Sequence, residues 1–238
     1  MVVVGQGVDW EAMGTRLADA ARDLAAQDGV QDTLDRITEW AVDLVDGCEA
    51  AGILVVRDEQ VVTVAGTDNV VRASDRLQDE LREGPCFDAT VQKQRVFRLA
   101  DLTEPDEAWP RYTARARELG IGSIMGVLLY TTDKDNLGAL ALYSSRPGAF
   151  TEESERVALA FASHAAVALA GAVHDQNLHA ALDSARTIGE AIGIIRSRRM
   201  MTNDDALALL KETSQNTNTK LRELAERITH TGEIPQRH

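Results

Sequence analysis

Apolar residues at helical spacing fill the first part of the chain. Residues 9–27 and 31–46 each carry one apolar stripe and end near a glycine, so each predicts an amphipathic helix. The period then changes, because residues 50–56 and 60–65 are short runs rich in β-branched side chains with a polar link between them. Such a pair of runs predicts a β-hairpin that follows the two helices.

Short helical and extended patterns alternate in the next segment. Residues 75–83 predict a short helix, 96–99 a strand, and 107–119 a helix that ends at a glycine. Two further strands are predicted at 121–130 and 137–144, joined by a polar turn. Helices beside a mostly antiparallel sheet of about five or six strands make an α+β fold.

One long helix is predicted from Thr151, a residue suited to capping, to about residue 199. Its alanine-rich stripe would cover the sheet up to residue 170, but no predicted sheet remains to bury it beyond that point. The stripe suits either the protein's own sheet or a second chain. For residues 171–199 we favour a parallel helical homodimer.

The last part of the chain contains three short helical patterns. The first of them ends in a basic cluster, formed by Arg196, Arg198 and Arg199. The second begins at Thr202, a good N-cap because Asp205 follows three residues later. The polar segment 214–217 is expected to break this helix before a third apolar stripe begins at Leu221. Helices this short bury little surface, so the unit is marginal unless it docks or dimerises.

Charge is distributed unevenly along the 238 residues. The whole chain carries a formal net charge of −13, which opposes binding to a polyanion. Residues 186–238 nevertheless contain nine Lys and Arg against seven Asp and Glu, a net charge of +2, and the remainder carries −15. A nucleic acid is therefore expected to contact the C-terminal part, through shape and a few placed residues.

Patterns typical of catalysis or metal binding are sparse. Cys48 and Cys86 lack the spacing of a zinc site or a disulfide framework, and no Ser-His-Asp or phosphate-loop pattern occurs. A tight turn, which is a candidate ligand or redox loop, is predicted at Glu83, Gly84, Pro85 and Cys86. We favour inert packing for Cys86 over a redox-sensing thiol, and consider least favourable a catalytic thiol with Cys48 as its resolving partner. We expect no enzymatic activity, catalytic residue or bound metal.

Membrane and export signals are also weak in the sequence. No uninterrupted run of about 18 apolar residues is present, and the N-terminal residues lack the basic start of a secretory signal. We therefore expect a cytoplasmic protein with no membrane partner.

Residues 186–232 resemble the ANTAR family, small three-helix RNA-binding domains that act in transcription antitermination. Ala191 and Gly193 stand where the family carries its Ala-Lys-Gly turn, with Ile192 in place of the usual lysine, and the run from Asp205 to Leu210 fits its middle helix. Its third-helix signature is matched by Ser214, Gln215, Asn218, Lys220, Leu221 and Ala225. The resemblance and the basic cluster together imply RNA contacts at Arg196, Arg198, Arg199, Ser214, Gln215, Asn218 and Lys220.

The preceding residues resemble a GAF domain of the actinobacterial kind. The resemblance rests on EGPC at 83–86, WPRY at 109–112, LGALALYS at 137–144 and AFASHAAVALA at 160–170. GAF domains are sensory modules that bind small ligands or serve as dimerisation scaffolds, and the resemblance specifies neither a ligand nor a cofactor. It implies a GAF-like antiparallel sheet flanked by helices, a long linker helix and an ANTAR-like domain, with boundaries at 1–170, 171–185 and 186–238.

These observations predict a signal-responsive RNA-binding regulator. It would act in transcription antitermination or translation control by binding RNA hairpin loops, and a small-molecule signal would act on the GAF-like domain. The alternative is a protein-interaction or DNA-binding regulator that uses the same C-terminal helices, since a short helix can also enter a major groove.

Overall fold

A computed structural model describes residues 9–57, 60–85, 88, 96–102, 108–132 and 136–233 of the chain. Contacts within the chain divide it into two units, Met1–Val173 and His174–His238. The N-terminal unit is built on a sheet and the C-terminal unit is helical. The α+β fold predicted from the sequence is confirmed, and each unit is described by itself below.

Five strands form one sheet in the N-terminal unit. They are β1 (Ala50–Arg57), β2 (Gln60–Gly66), β3 (Val96–Leu99), β4 (Ser123–Tyr130) and β5 (Asn136–Ser144). Their order across the sheet is β2-β1-β5-β4-β3, and every neighbouring pair is antiparallel. The predicted hairpin of β1 and β2 is confirmed. Strand β4 is buried along almost its whole length, so both faces of the sheet need a cover of helices.

The two faces of the sheet enter separate hydrophobic cores. Helices α1 (Trp10–Ala25) and α2 (Val30–Leu44) cover one face together with the start of α5 (Glu152–Arg199). Helices α3 (Asn69–Leu81) and α4 (Pro110–Glu118) cover the other face. Adjacent strand residues alternate between the two cores, as Ile53 and Leu54 do on β1, because side chains along a strand have a period of two.

Helix α3 begins six residues before its predicted start at residue 75. The Asp68 carboxylate caps it by accepting a hydrogen bond from the Val70 backbone N–H at 2.8 Å. The pair Val70 and Val71 looks like part of a strand in sequence, but Val71 is fully buried and its side chain lies against Gly52 of β1. Burial against the sheet therefore outweighs the weak helix preference of a β-branched residue.

A buried polar network joins α3 to the sheet. The Asp75 carboxylate accepts hydrogen bonds from the Tyr143 hydroxyl at 3.2 Å and from the Thr63 hydroxyl, and only 3% of Asp75 is exposed. At the preceding residue of α3, the Ser74 hydroxyl lies 2.7 Å from the Tyr112 hydroxyl. Burial raises the pKa of Asp75 to about 6, although the two hydroxyl hydrogen bonds and the charge of Arg72 act to lower it.

Helix α5 is long and apolar enough in one segment to cross a membrane, by length and composition alone. Its first part, however, contributes Val157, Phe161 and Leu169 to the core beneath the sheet. That arrangement is typical of the core helix of a globular domain.

The C-terminal unit contains the end of α5 followed by α6 (Asn203–Asn216) and α7 (Leu221–Thr231). The three helices share a small core, made of Ala191, Ile195, Ala206, Leu210, Leu224, Ala225 and Ile228. Helix α6 ends at Asn216, within the polar segment 214–217 that was predicted to break it, although it includes the first three residues of that segment. The hydroxyls of Thr213 and Thr217 donate to backbone carbonyls four residues back, which is compatible with helix.

The predicted turn at Ala191 and Gly193 is wrong. Both residues lie inside α5, which continues without a break to Arg199. Ala191 is fully buried in the small core, whereas Gly193 is exposed and a Cβ added there would meet open space. Ile192, in the position of the family's usual lysine, is partly buried against the same core, so at this position an apolar contact replaces a cation.

Replacing Asp75 by asparagine tests the cost of burying this carboxylate. Protonation stabilises the fold fully below pH 3.8, the usual pKa, and this stabilisation is lost as the pH rises through about 6. The Asp75→Asn variant has no charge to desolvate, so it should exceed the wild type in unfolding free energy by roughly 1–3 kcal/mol near neutral pH. The difference should shrink as the pH falls towards 4, as measured by urea unfolding in a series of buffers.

The matched control is Asp28→Asn, which neutralises an exposed carboxylate at the end of the α1–α2 connection. This control should leave unfolding free energy within about 0.5 kcal/mol of the wild type. An Asp75→Asn variant no more stable than the wild type at neutral pH would show that the buried charge carries no such cost.

Candidate nucleic-acid interface

The basic cluster at the end of α5 has three different environments. The Arg196 guanidinium lies 3.4 Å from the Asn203 side-chain oxygen. The Arg198 guanidinium lies beside Gly232, where α7 ends, so closely that an added Cβ would be 2.6 Å from Arg198 Nη2. Arg199 is exposed and has no hydrogen bond or ion pair to a described residue.

The position of Arg198 has a structural explanation. Gly232 ends α7 with a left-handed φ of 66°, a conformation that glycine adopts without a Cβ clash. The carbonyl end of a helix carries partial negative charge, which favours a nearby cation. Arg198 is therefore placed where its charge favours the end of α7, a position that the sequence alone did not indicate.

The start of α6 is capped as predicted. The Thr202 hydroxyl accepts a hydrogen bond from the Asp205 backbone N–H at 3.2 Å and donates one to the Asp205 carboxylate at 2.6 Å. This pair satisfies a free amide of the first turn and fixes the direction in which α6 leaves the turn after α5.

The turn between α6 and α7 is closed by its own hydrogen bonds. The Thr219 N–H donates to the Ser214 carbonyl at 3.1 Å, and the Asn218 N–H donates to the Gln215 carbonyl at 3.3 Å. Asn218 adopts a left-handed φ of 47° between them. This pattern is a Schellman motif, and asparagine is among the few residues that tolerate its left-handed position. The Ser214 hydroxyl adds a bond to the Thr219 carbonyl at 2.7 Å.

Two of the predicted RNA-binding residues are thus committed to the turn itself. The Ser214 hydroxyl already donates its proton within the turn, and Asn218 supplies the backbone conformation that the turn requires. Gln215 and Lys220 flank them with exposed side chains. The backbone carbonyl of Lys220 accepts from the Leu224 N–H at 3.0 Å, while its ammonium has no hydrogen bond or ion pair to a described residue.

The seven predicted residues lie in two groups at opposite ends of α6. The arginines precede this 14-residue helix and the remaining four residues are at or beyond its end. At 1.5 Å per residue the two groups are roughly 20 Å apart along the helix. They form two contact points, one at the α5–α6 turn and one at the α6–α7 turn, and the structure does not bring them into one patch.

Neighbouring cations are partly neutralised by their own helices. Arg186 pairs with Glu190 at 3.1 Å and Arg222 pairs with Glu226 at 2.9 Å, both between residues one helical turn apart. These pairs are exposed, so they add little to stability. They do reduce the positive charge along the helices, whereas Arg199 and Lys220 are exposed at the two turns with no ion pair to a described residue.

The candidate loop in the N-terminal unit has a structural role in its described part. The Glu83 carboxylate accepts hydrogen bonds from the Arg111 and Tyr112 backbone N–H groups at 2.7 and 3.0 Å, at the start of α4. Arg111 also pairs with it at 2.8 Å. Burial acts to raise the pKa of Glu83, but these hydrogen bonds hold it below its usual value. Gly84, with a φ of 141°, presses against Gln78.

Of the two cysteines, Cys48 is among the residues that the structure describes and Cys86 is not. The preference for inert packing of Cys86 over a redox role therefore stays a prediction. Burial raises the pKa of the Cys48 thiol to about 12, which makes this thiol unreactive at neutral pH. Within the described ranges, no group of three or more His, Cys, Asp or Glu side chains is placed to hold a metal ion.

Comparisons with known proteins agree with the two units. A family model described as the GAF domain matches residues 27–170, and one described as the ANTAR domain matches residues 176–228. A search of curated proteins finds no match to the chain.

Solved structures resemble the N-terminal unit in fold. A GAF domain from a Coxiella burnetii phosphoenolpyruvate-protein phosphotransferase is 18% identical with a TM-score of 0.54, and the match covers 71% of this chain and 99% of that one. The corresponding Acinetobacter domain is 15% identical, with a TM-score of 0.53 and coverages of 70% and 98%. The Stigmatella aurantiaca phytochrome photosensory core module is 12% identical, with a TM-score of 0.59 and coverages of 85% and 44%. At these identities the likeness shows the fold alone.

Substitutions at Asn218 test the structural role of the α6–α7 turn. A glycine at this position adopts the left-handed conformation freely, so Asn218→Gly should be about as stable as the wild type. Asn218→Ala places an unassisted Cβ there and should lose about 1 kcal/mol of unfolding free energy relative to Asn218→Gly. Thermal unfolding of the C-terminal unit in the full chain, followed by circular dichroism, measures the difference.

The same pair at Thr217, which has an ordinary helical φ of −93°, is the control. Here alanine should be the more stable of the two, because glycine only adds backbone entropy to the unfolded chain. If the same substitution, alanine or glycine, were the more stable one at both positions, the left-handed conformation of Asn218 would not explain its effect on stability.

Proposed function

Because the chain belongs to the GAF domain family and carries an ANTAR domain after it, we propose that it is a signal-responsive regulator that binds RNA hairpin loops. GAF domains are sensory modules and the ANTAR domain is an RNA-binding module of antitermination regulators. The GAF domain would receive a small-molecule signal, and the ANTAR domain would stabilise a hairpin that excludes a terminator or hides a ribosome-binding site. We propose that it acts in the cytoplasm and catalyses no reaction.

One observation carries this proposal. The match to the ANTAR domain, residues 176–228, coincides with the part of the chain whose charge departs from the strongly negative average. The two turns of this unit hold exposed cations, Arg199 and Lys220, on short and well-capped connections. Rigid cationic points beside exposed amide groups suit the phosphates and the unpaired base edges of an RNA loop.

An exposed apolar face of α5 supports pairing with a second copy of the chain, which would provide binding at two hairpins. Three large apolar side chains of α5 are exposed, Val167 by 68%, Leu178 by 48% and Leu182 by 60%. Leu178 and Leu182 are one helical turn apart and so lie on one face of α5. A parallel pair of α5 helices would bury this face and would double a modest set of RNA contacts.

Helix α5 also offers a route for the signal. It contributes Phe161 to the core of the GAF domain and Ala191 and Ile195 to the core of the ANTAR domain, without an interruption between them. A ligand on the GAF domain would change RNA binding only if it bound two arrangements of this helix with different affinity. The ligand and any cofactor are unknown.

Crosslinking in cells tests the proposal most directly. RNA crosslinked to the full-length protein should be enriched in short hairpins, and resynthesised hairpins should bind the purified protein in gel-shift assays. Arg199→Gln and Lys220→Gln should each weaken binding about 3- to 10-fold and lower the salt dependence by about one ion, because each removes one phosphate contact. Arg22→Gln, which removes an exposed cation of α1, is the control and should bind as the wild type does.

Three results would contradict the proposal. Enrichment of duplex DNA over RNA would favour the DNA-binding alternative, and recovery of neither nucleic acid would favour the protein-interaction alternative. Binding of the recovered hairpins with no loss in either Arg199→Gln or Lys220→Gln would remove the assigned contact points.

Charge placed on the exposed face of α5 tests the dimer. Leu178→Lys would put two like charges in the proposed seam, so the protein should sediment as a monomer at concentrations where the wild type is a dimer. Ala180→Lys is the matched control, because residue 180 is exposed but points about 160–200° away from Leu178 and Leu182 around the helix. A dimer that resists Leu178→Lys, or that Ala180→Lys disrupts equally, would place the seam elsewhere.

A further inference from the structure

Three residues other than glycine have a left-handed backbone in the described part of the chain, and Met200 is one of them. Their φ angles are 52° at Arg82, 55° at Met200 and 47° at Asn218. Asparagine tolerates this region because its short polar side chain can bond locally, but methionine has no such compensation. Glycine at residue 200 would end helix α5 with less strain.

Packing within the chain does not explain why methionine is there. Met200 is 92% exposed, the highest value among the large apolar residues of the described part. Its neighbour Met201 is partly buried against the core of the C-terminal unit and supplies the apolar contact at this turn. Met200 is therefore unfavourable for folding in two ways, through its left-handed backbone and through its exposed apolar side chain. No contact within the described residues offsets this, which indicates a contact outside the chain.

The surroundings of Met200 indicate what that contact is. Arg199 precedes it with a guanidinium that has no partner among the described residues, and Arg196 lies one helical turn earlier. The nearby acids, Asp204 and Asp205, lie in the first turn of α6, where Asp205 is hydrogen-bonded to Thr202. An apolar, polarisable thioether next to a free guanidinium suits an unpaired nucleobase and its phosphate, since bases splayed from a loop stack on side chains.

We propose that Met200 and Arg199 form one contact point for RNA at the α5–α6 turn, with the Met200 thioether packed on the face of an unpaired base. The Arg199 guanidinium pairs with an adjoining phosphate. This inference rests on the RNA binding proposed above and adds an apolar, base-contacting residue that the charge pattern did not single out. It also gives the turn at the far end of α6 from Lys220 a role of its own.

Met200→Gly tests the contact in the full-length protein. Relief of the left-handed strain should raise the unfolding temperature of the C-terminal unit, while loss of the thioether should weaken binding of the recovered hairpin RNA about 5-fold or more. The salt dependence of binding should stay that of the wild type, because no charge is removed. Arg199→Gln should instead reduce the salt dependence by about one ion.

Three further measurements separate a direct RNA contact from effects on the backbone. Met200→Leu keeps an apolar side chain in the same strained backbone, so it should bind RNA within about 2-fold of the wild type. Arg82→Gly relieves the same strain in the other unit and should not change RNA binding. In hairpins that carry 2-aminopurine at a loop position, wild-type protein should change the fluorescence of one labelled base and Met200→Gly should not.

The outcomes distinguish this contact from the proposed function. If the wild type binds the hairpins and Met200→Gly binds them equally well, the contact is overturned and RNA binding through Lys220 stands. If Met200→Gly becomes a monomer in sedimentation, Met200 lies between two copies of the chain and the contact is likewise overturned. If the wild type binds no RNA and none is recovered from cells, the proposed function and this contact fail together.

Discussion

One helix has to satisfy two separate hydrophobic cores, and this constraint governs the organisation of the chain. The 48 residues of α5 place Phe161 and Leu169 under the sheet and, near the other end, Ala191 and Ile195 in the small helical core. Between these ends the helix is mostly exposed. Alanine-rich sequence and pairs such as Arg186 with Glu190 support helix there only weakly, and Leu178 and Leu182 are exposed on one face, which the proposed parallel dimer would cover.

The C-terminal unit depends on its turns because its core is small. Short helices gain little from propensity alone, and this core contains only a few aliphatic side chains. The Thr202 cap marks the start of α6 and the Asn218 turn marks its end, while Arg198 lies beside Gly232, where α7 ends. The residues that hold these turns stand beside the residues assigned to RNA. A substitution in either turn must therefore be measured for stability before its effect on binding is interpreted.

Sequence periodicity was sufficient to predict the strands, the long helix and the core stripes of the C-terminal helices. It failed where tertiary contacts decide the conformation: the start of α3 was predicted at residue 75, but the helix already includes Val70 and Val71, and Val71 is buried against the sheet. At the site, Lys220 could be found from its motif, but the role of Arg198 depends on where α7 ends in space. The burial of Asp75 could have been predicted from the sequence, because helical spacing places it on the same face of α3 as Val71 and Gln78, which are also buried.

The network around Asp75 connects the α3 side of the GAF domain to α5. Strand β5 carries Tyr143, which bonds the Asp75 carboxylate on one face of the sheet, while its neighbour Leu142 belongs on the other face to the core that holds Phe161 of α5. Adjacent residues of one strand cannot move independently, because they share a backbone that is hydrogen-bonded on both sides. A ligand or proton that altered the bond between Asp75 and Tyr143 would therefore act on the packing beneath α5. The buried carboxylate, costly for stability at neutral pH, is thus bonded to the same strand that packs beneath α5.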